Sequence, residues 1–390
     1  MKIIPYGRQH TDQKDISIVA KILKKDKITT GNLVNQFEDK INKFLRCKYS
    51  TVCNSGTSAL YLALSAIGVK KKDKIIMPSI NFIASYNISK LLGAEVYLAD
   101  VDKFTGQMKP QDVLSCIKKY KLKKVKAIIT MYNGGYPENS ELFYKFKKKF
   151  NCYIIEDACH AFGSEYLYKK KFLKIGSCKH ADLSTFSLHP LKSITTGEGG
   201  IVTTNSKIID KKIKILRSLG IKKNPKYHWK YDVIYYGLNY RLTDFQCALG
   251  ISQLNKIKKF ILARKKISDK YTKELKKIPD IIIPSYNKKY KSSYHLYLVC
   301  LKNKNIKLKD KFIKFMLKNK IILQYHYIPI YKFKVFRDKF DCKEAEWYYK
   351  TTVSLPIHYN LTSKQQNYII SKLKFFFKKN LIFFGKINSK

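Results

Sequence analysis

Ser187-Leu188-His189-Pro190-Leu191-Lys192-Ser193-Ile194-Thr195-Thr196-Gly197-Glu198-Gly199-Gly200 links two apolar runs through a turn that carries one lysine and one acid. The runs are Leu183-Ser184-Thr185-Phe186-Ser187-Leu188 before it and Gly200-Ile201-Val202-Thr203-Thr204 after it. Short apolar runs bounded by polar turns are strands rather than helix segments. A lysine alone says nothing in a chain with 78 basic residues. Lys192, however, sits between an apolar strand and a Thr/Gly turn. Desolvation there lowers the pKa of an amine and frees the nucleophilic form, which makes a Schiff base with an aldehyde cofactor.

Outward from this stretch, short apolar runs alternate with amphipathic segments through the first two thirds of the chain. Further strands are predicted at Lys74–Met77, Glu95–Ala99, Lys126–Thr130 and Cys152–Glu156. That alternation is the pattern of an α/β fold with a mainly parallel sheet and crossover helices. Ligands of such sheets bind at the carboxyl ends of strands, where Asp157 and Ser187 stand. From Thr243 a long helical pattern runs through Phe245, Ala248, Leu249, Leu254, Ile257 and Ile261. Beyond about Pro279 the texture changes to short segments between polar loops. At 390 residues the chain has length for two domains. The expected division is a large domain over 1–250, with residues 1–30 as an arm on the small domain, and a smaller α+β domain over 251–390 that includes the interdomain helix and a basic tail.

The formal charge of +50 suits phosphate-rich partners. Only six of the basic residues are arginines, at 8, 46, 217, 241, 264 and 337, and the lysines are spread along the whole chain. Specific nucleic-acid recognition favours arginine clusters, so the charge implies at most non-specific polyanion binding and attraction of an anionic substrate. Nine cysteines without regular pairing fit reduced thiols. Cys159, His160, Cys178 and His180 lack zinc-type spacing, and no metal is expected. No apolar run reaches the roughly 20 residues that span a bilayer, and a signal-peptide core is missing, so a cytoplasmic protein is expected.

Two more strings carry chemistry. Asn54-Ser55-Gly56-Thr57-Ser58-Ala59-Leu60 opens a helix. Ser and Thr there are ordinary caps, yet the same geometry aims free N–H groups at an anion, and Gly56 lets a phosphate approach the main chain. In Ile154-Ile155-Glu156-Asp157-Ala158-Cys159-His160-Ala161-Phe162-Gly163 two acids end a buried strand, where a carboxylate needs a cationic partner.

Together these strings resemble the DegT/StrS family of pyridoxal-phosphate (PLP) sugar aminotransferases. The resemblance implies fold type I of PLP-dependent transferases, aspartate aminotransferase-like, with Lys192 as the catalytic lysine that holds the cofactor and moves the proton. It implies a phosphate site at Gly56, Thr57 and Ser187, with Asp157 on the pyridinium nitrogen and His160 beside the phenolic oxygen. Phe82, in Pro78-Ser79-Ile80-Asn81-Phe82, matches the aromatic that stacks on the ring. Asn239, in Tyr236-Gly237-Leu238-Asn239-Tyr240-Arg241, matches an asparagine that reaches the phosphate of the neighbouring subunit, which implies a homodimer with shared active sites.

The likeness extends from Ile4-Pro5-Tyr6-Gly7-Arg8-Gln9 to Ser354-Leu355-Pro356-Ile357-His358. Its Tyr325-His326-Tyr327-Ile328-Pro329-Ile330-Tyr331 and His160-Ala161-Phe162-Gly163-Ser164-Glu165-Tyr166 strings are most similar to the subgroup of the pseudaminic acid pathway. That subgroup implies amination at C4 of UDP-2-acetamido-2,6-dideoxy-β-L-arabino-hexos-4-ulose, with L-glutamate as donor. Another UDP- or dTDP-linked 3- or 4-keto-deoxyhexose is the alternative acceptor. Leu219 and Met131-Tyr132-Asn133-Gly134-Gly135-Tyr136 depart from the usual family residues near the sugar. A related dehydratase carries histidine at the lysine position, which Lys192 argues against. A lysine-rich polyanion-binding protein would leave these ordered strings without purpose.

Overall fold

Residues 2–336 and 340–385 are described by a computed structural model, with side chains as far as residue 378. Arg337, the side chains at the end of the basic tail and residues 386–390 lie outside the described residues.

A seven-stranded sheet forms the larger part. Its strands are β1 (Tyr49–Cys53), β2 (Lys74–Pro78), β3 (Glu95–Ala99), β4 (Ala127–Met131) and β5 (Tyr153–Asp157). After β5 a hairpin, β6 (Glu165–Tyr168) and β7 (Lys171–Lys174), leads to β8 (Leu183–Ser187) and β9 (Gly200–Thr204). The order is β1-β9-β8-β5-β4-β2-β3. The block from β8 to β3 is parallel, and β9 runs antiparallel to both β8 and β1. This is the α/β architecture expected from the alternation of short apolar runs. The segment between β8 and β9 forms turns and no crossover helix, and the chain returns antiparallel through the lysine turn.

Periodicity predicts six of these seven strands. β1 escapes it because Ser50 and Thr51 are buried polar residues: the Ser50 hydroxyl donates to the Glu38 carbonyl and that of Thr51 to Asp210.

Helices flank both faces. The first, α1 (Gln13–Leu23) and α2 (Asn32–Leu45), precede the sheet; α3 (Gly56–Ala66), α4 (Ala84–Leu91), α5 (Pro110–Lys119) and α6 (Ser140–Phe150) connect its strands, and α7 (Lys207–Leu216) follows the last of them. After the sheet a second hairpin, β10 (Ile221–Lys223) and β11 (Tyr231–Val233), precedes α8 (Asp244–Leu275). Thr243 and Gln246 close a capping box at the start of α8, which then runs unbroken for 32 residues. Residue 250, the expected boundary, therefore falls inside a helix.

The C-terminal part holds β12 (Ile281–Ile282), β13 (Tyr290–Lys291), β14 (Tyr297–Leu301), α9 (Ile306–Lys318), α10 (Lys343–Thr351), β15 (Thr352–Leu355) and α11 (Ser363–Gly385). Strands β12, β14 and β15 form an antiparallel sheet, whereas β13 pairs back onto β6. Its own apolar cluster joins Val299, Phe312 and Leu373 to Leu275 at the end of α8. Ile4 enters that cluster and pairs with Ile321. By contrast α1 lies on the first half of α8, where Asp15 receives bonds from Ser252, Gln253 and Lys256. In the tail, Phe376 and Phe377 pack on Phe312, while Phe375 is exposed.

Candidate active site

The carboxyl ends of β5 and β8 and the start of α3 surround a cavity of about 550 Å³. Side chains alternate across a strand, so Glu156 and Asp157 must point to opposite faces. Glu156 turns into the core, where it accepts bonds from the Tyr132 hydroxyl at 2.7 Å and the Gly176 N–H at 3.3 Å, and from Ser184. Burial raises its pKa above the usual carboxylate value. Hydroxyls thus take the place of the cation that a buried acid was expected to need. Asp157 faces the cavity; its Oδ2 accepts the Ser85 hydroxyl at 2.8 Å.

Helix α3 is capped by Ser55, whose side chain accepts the Ser58 N–H at 3.0 Å. The amides of Gly56 and Thr57 precede any intrahelical acceptor and border the cavity, at the positive end of the helix. Gly56 is required by proximity: a Cβ there would lie 2.8 Å from the Ser187 Cβ. The first turn of α3 and the end of β8 are consequently in direct contact, and Ser187 also borders the cavity.

Past Ser187 the lysine turn is tied down by its own hydroxyls. Thr195 donates to the Leu188 carbonyl at 2.9 Å, and the Lys192 N–H donates to His189 at 2.9 Å. Lys192 reaches the same cavity as Asp157. Desolvation lowers its amine pKa, with Arg264 acting in the same direction and Cys159 and Asp157 opposing. Burial is thus the largest physical cause of the lowered amine pKa at this position.

Phe82 is half-exposed in the cavity wall, its ring tilted 5.8 Å from that of Tyr327. His160 is buried and shares a 2.8 Å bond through Nε2 with the Tyr327 hydroxyl. Its Nδ1 has no partner among the described residues. Seven of the expected site residues, Gly56, Thr57, Phe82, Asp157, His160, Ser187 and Lys192, thus border one cavity. Asn239 does not; it is exposed at the base of the β10–β11 hairpin and pairs with Ser218. Of the two departures noted in the sequence, Met131 borders the cavity, whereas Leu219 stands outside it beside Leu238. The imagined metal ligands scatter: His180 binds the Tyr166 hydroxyl at 2.7 Å, away from His160.

Several wall residues had no role assigned from the sequence: Asn81, Cys159, His295, His326 and Tyr327. The His295 ring lies tilted by 42° against that of His160, with centroids 4.2 Å apart, and His326 binds the Ser354 hydroxyl at 2.8 Å. Burial pushes the pKa of all three imidazoles down, that of His326 to about 3, so they stand uncharged around Lys192. Asn81 adjoins Phe82 and is fully buried, with neither amide atom partnered among the described residues. A buried amide with no protein partner is the signal that points to it.

Residues 9–374 match the model of the DegT/DnrJ/EryC1/StrS aminotransferase family. The chain is 37% identical over 373 residues to a UDP-4-amino-4,6-dideoxy-N-acetyl-beta-L-altrosamine transaminase of Campylobacter jejuni, covering 94% of this chain and 96% of that one. Among solved structures it is similar to Helicobacter pylori PseC, an aminotransferase involved in the biosynthesis of pseudoaminic acid, with a TM-score of 0.89 and 30% identity over 97% of this chain and 100% of that one. It also matches a putative sugar aminotransferase from Streptococcus pneumoniae in its PLP form, with a TM-score of 0.88 and 25% identity over 97% and 99% of the two chains. With a cavity that joins a desolvated lysine to a strand-end aspartate, and a family match over nearly its whole length, the chain belongs to the DegT/DnrJ/EryC1/StrS aminotransferases, which depend on pyridoxal phosphate.

Proposed function

We propose that this enzyme aminates C4 of UDP-2-acetamido-2,6-dideoxy-β-L-arabino-hexos-4-ulose, with L-glutamate as amino donor, for a pseudaminic acid-type sugar. The observation that carries the reading is the convergence of Lys192, Asp157 and the start of α3 on one cavity. The 37% identity to the C. jejuni transaminase supports the choice of acceptor.

The residues present fit the cofactor. The unpartnered His160 Nδ1 and Asn81 amide, and the open amides of Gly56 and Thr57, are donors and acceptors that a ligand satisfies. When bound, pyridoxal phosphate supplies an electron sink for the pair released at the donor Cα. Gly56, Thr57 and the Ser187 hydroxyl hold its phosphate, Phe82 covers the ring face, and His160 binds the phenolic oxygen. Asp157 keeps a proton on the ring nitrogen. Lys192 Nζ would hold the cofactor covalently and, as a free amine, would serve as the base for the donor Cα proton.

Asn239 acts in trans. In a homodimer its amide completes the phosphate site of the partner, which accounts for its exposure on one chain. The adjoining hairpin also exposes Trp229, Tyr231, Val233 and Tyr236, an apolar surface suited to a second copy. The large domain over 1–250 and the smaller one over 251–390 then flank the site. Among the described residues no helix is long and apolar enough to cross a membrane, and the cysteines are unpaired; we place the enzyme in the cytoplasm.

The decisive experiment supplies L-glutamate with a panel of UDP- and dTDP-linked 3- and 4-keto hexoses and reads product regiochemistry by NMR. Amination at C4 of the UDP-linked acetamido sugar is expected; turnover of only a dTDP-linked or 3-keto sugar would overturn the acceptor. Gly56→Ala is expected to weaken cofactor binding roughly 10- to 100-fold in an absorbance titration. Its methyl meets Ser187 at 2.8 Å and moves the first turn of α3, at a strain of about 1–3 kcal/mol. For the dimer, Asn239→Ala and Lys192→Ala proteins, each impaired alone, should recover about a quarter of wild-type activity when mixed and allowed to exchange, because one site in each mixed dimer is intact. No recovery would place Asn239 in cis or outside the site.

A further inference from the structure

Arg264, on α8 behind the lysine turn, is 4% exposed. A buried guanidinium ordinarily sits against a carboxylate, because an unpaired buried charge costs several kcal/mol. Arg264 has none within ion-pair distance among the described residues. Its Nη2 donates to the Lys192 carbonyl at 3.3 Å, while Nε and Nη1 have no partner among the described residues. It lines a narrow second cavity on the far side of the lysine turn, with Arg8, His10, Phe260 and Tyr359.

The choice of residue is informative. The chain uses lysine for nearly all its basic positions and arginine for only six. A lysine buried in this way sheds its proton, as Lys309 illustrates: burial pulls its pKa down to about 7. Arg264, with its pKa lowered by the same cause only to about 10, stays charged. The position therefore holds a permanent positive charge behind Lys192.

We propose that Arg264 is a positioning residue for Lys192: it pins the Lys192 carbonyl from behind, and its charge, with no carboxylate against it among the described residues, adds to burial in favouring the free amine of the Lys192 side chain. This rests on the reading that Lys192 works as a neutral base. The groups that face Lys192 set the balance. Asp157 and Cys159, at the end of β5, favour the ammonium form, and Arg264 opposes them. His160, His295 and His326 are kept uncharged by burial and add no competing cation. On its other side Arg264 faces His358, also uncharged, together with Arg8. Burial is the largest cause that favours the free amine on Lys192 Nζ, and the charge of Arg264 adds to it against the Asp157 carboxylate.

The test reads the lysine itself, without turnover. The cofactor-free protein is labelled with dinitrofluorobenzene across a pH series, and the Lys192 peptide is quantified by mass spectrometry. Arg264→Met and Arg264→Gln are each expected to raise the labelling midpoint of Lys192 by about one pH unit, the size of shift that a nearby charge produces. Gln keeps a donor for the Lys192 carbonyl, so a shift in this variant reports the charge and not the hydrogen bond. In the loaded enzyme the acid limb of the kcat profile should move upward by the same amount. Midpoints equal to wild type in both variants would overturn the proposal, as would a wild-type midpoint no lower than that of a surface lysine. Melting curves confirm folding; a Gln variant that cannot fold also overturns it, because Arg264 is then a structural prop. An inactive wild type with a low Lys192 midpoint would instead sink the transaminase reading and leave the Arg264 effect standing.

Discussion

Lys192→Ala is expected to lower transamination by roughly 10⁴-fold or more, the upper range for a positioned general base and nucleophile acting together. The fold should survive. The side chain borders a cavity and forms no ion pair among the described residues, so its removal leaves neither a packed void nor a stranded partner charge. The melting temperature should stay within a few degrees of wild type, whereas borohydride, which fixes cofactor to wild type, should leave no label on the variant's turn peptide. With the proposed phosphate contacts on α3 and β8 left in place, the variant should still bind pyridoxal phosphate, but reversibly. Retained turnover, or borohydride labelling of a different lysine, would remove Lys192 from its assigned role.

Asp157→Asn is the second large effect. The amide has nearly the same shape, so the Ser85 contact at 2.8 Å and the end of β5 are preserved. Only the charge is lost. A buried, hydrogen-bonded charge pair broken at one partner costs about 2–5 kcal/mol, and ~4 kcal/mol of lost transition-state stabilisation is a thousandfold in kcat. The KM for glutamate and the retention of cofactor should change little, because the contact proposed for Asp157 on the ring nitrogen matters most when electrons flow into the ring. A near-normal kcat for Asp157→Asn would mean that the aspartate is structural, like its neighbour Glu156.

That pair shows where local sequence stops. Glu156 and Asp157 are equivalent in composition and stand side by side on one strand, and periodicity says only that they face apart. Which of them meets the cavity depends on what covers each face of the sheet. Tyr132 and Ser184 claim Glu156, and the space above the strand ends is left to Asp157. The missing strand β1 has a similar cause: Ser50 and Thr51 are buried because partners on α2 and α7 satisfy them, and no apolar pattern marks such residues.

The turn around Lys192, by contrast, was legible from the start. Its strands are apolar runs of ordinary length, and its Thr and Gly residues make the local hydrogen bonds that their types favour. The start of α3 was equally plain, since a cap residue and a glycine announce a helix end with free amides. What escaped was the company His160 keeps. His295 and His326 join it from two other segments, and the bond between Tyr327 and His160 joins positions 167 residues apart.

The sequence by itself determined the α/β alternation, the lysine turn, the capped helix start at Ser55 and the family, because each is carried by residue types at short, fixed spacing. Only the tertiary structure decided that Asp157 faces the cavity, that uncharged imidazoles surround the amine, and that Arg264 stands behind it with no carboxylate partner among the described residues. Those features depend on burial and on contacts between distant segments, which arise only when the sheet, α8 and the C-terminal part pack together.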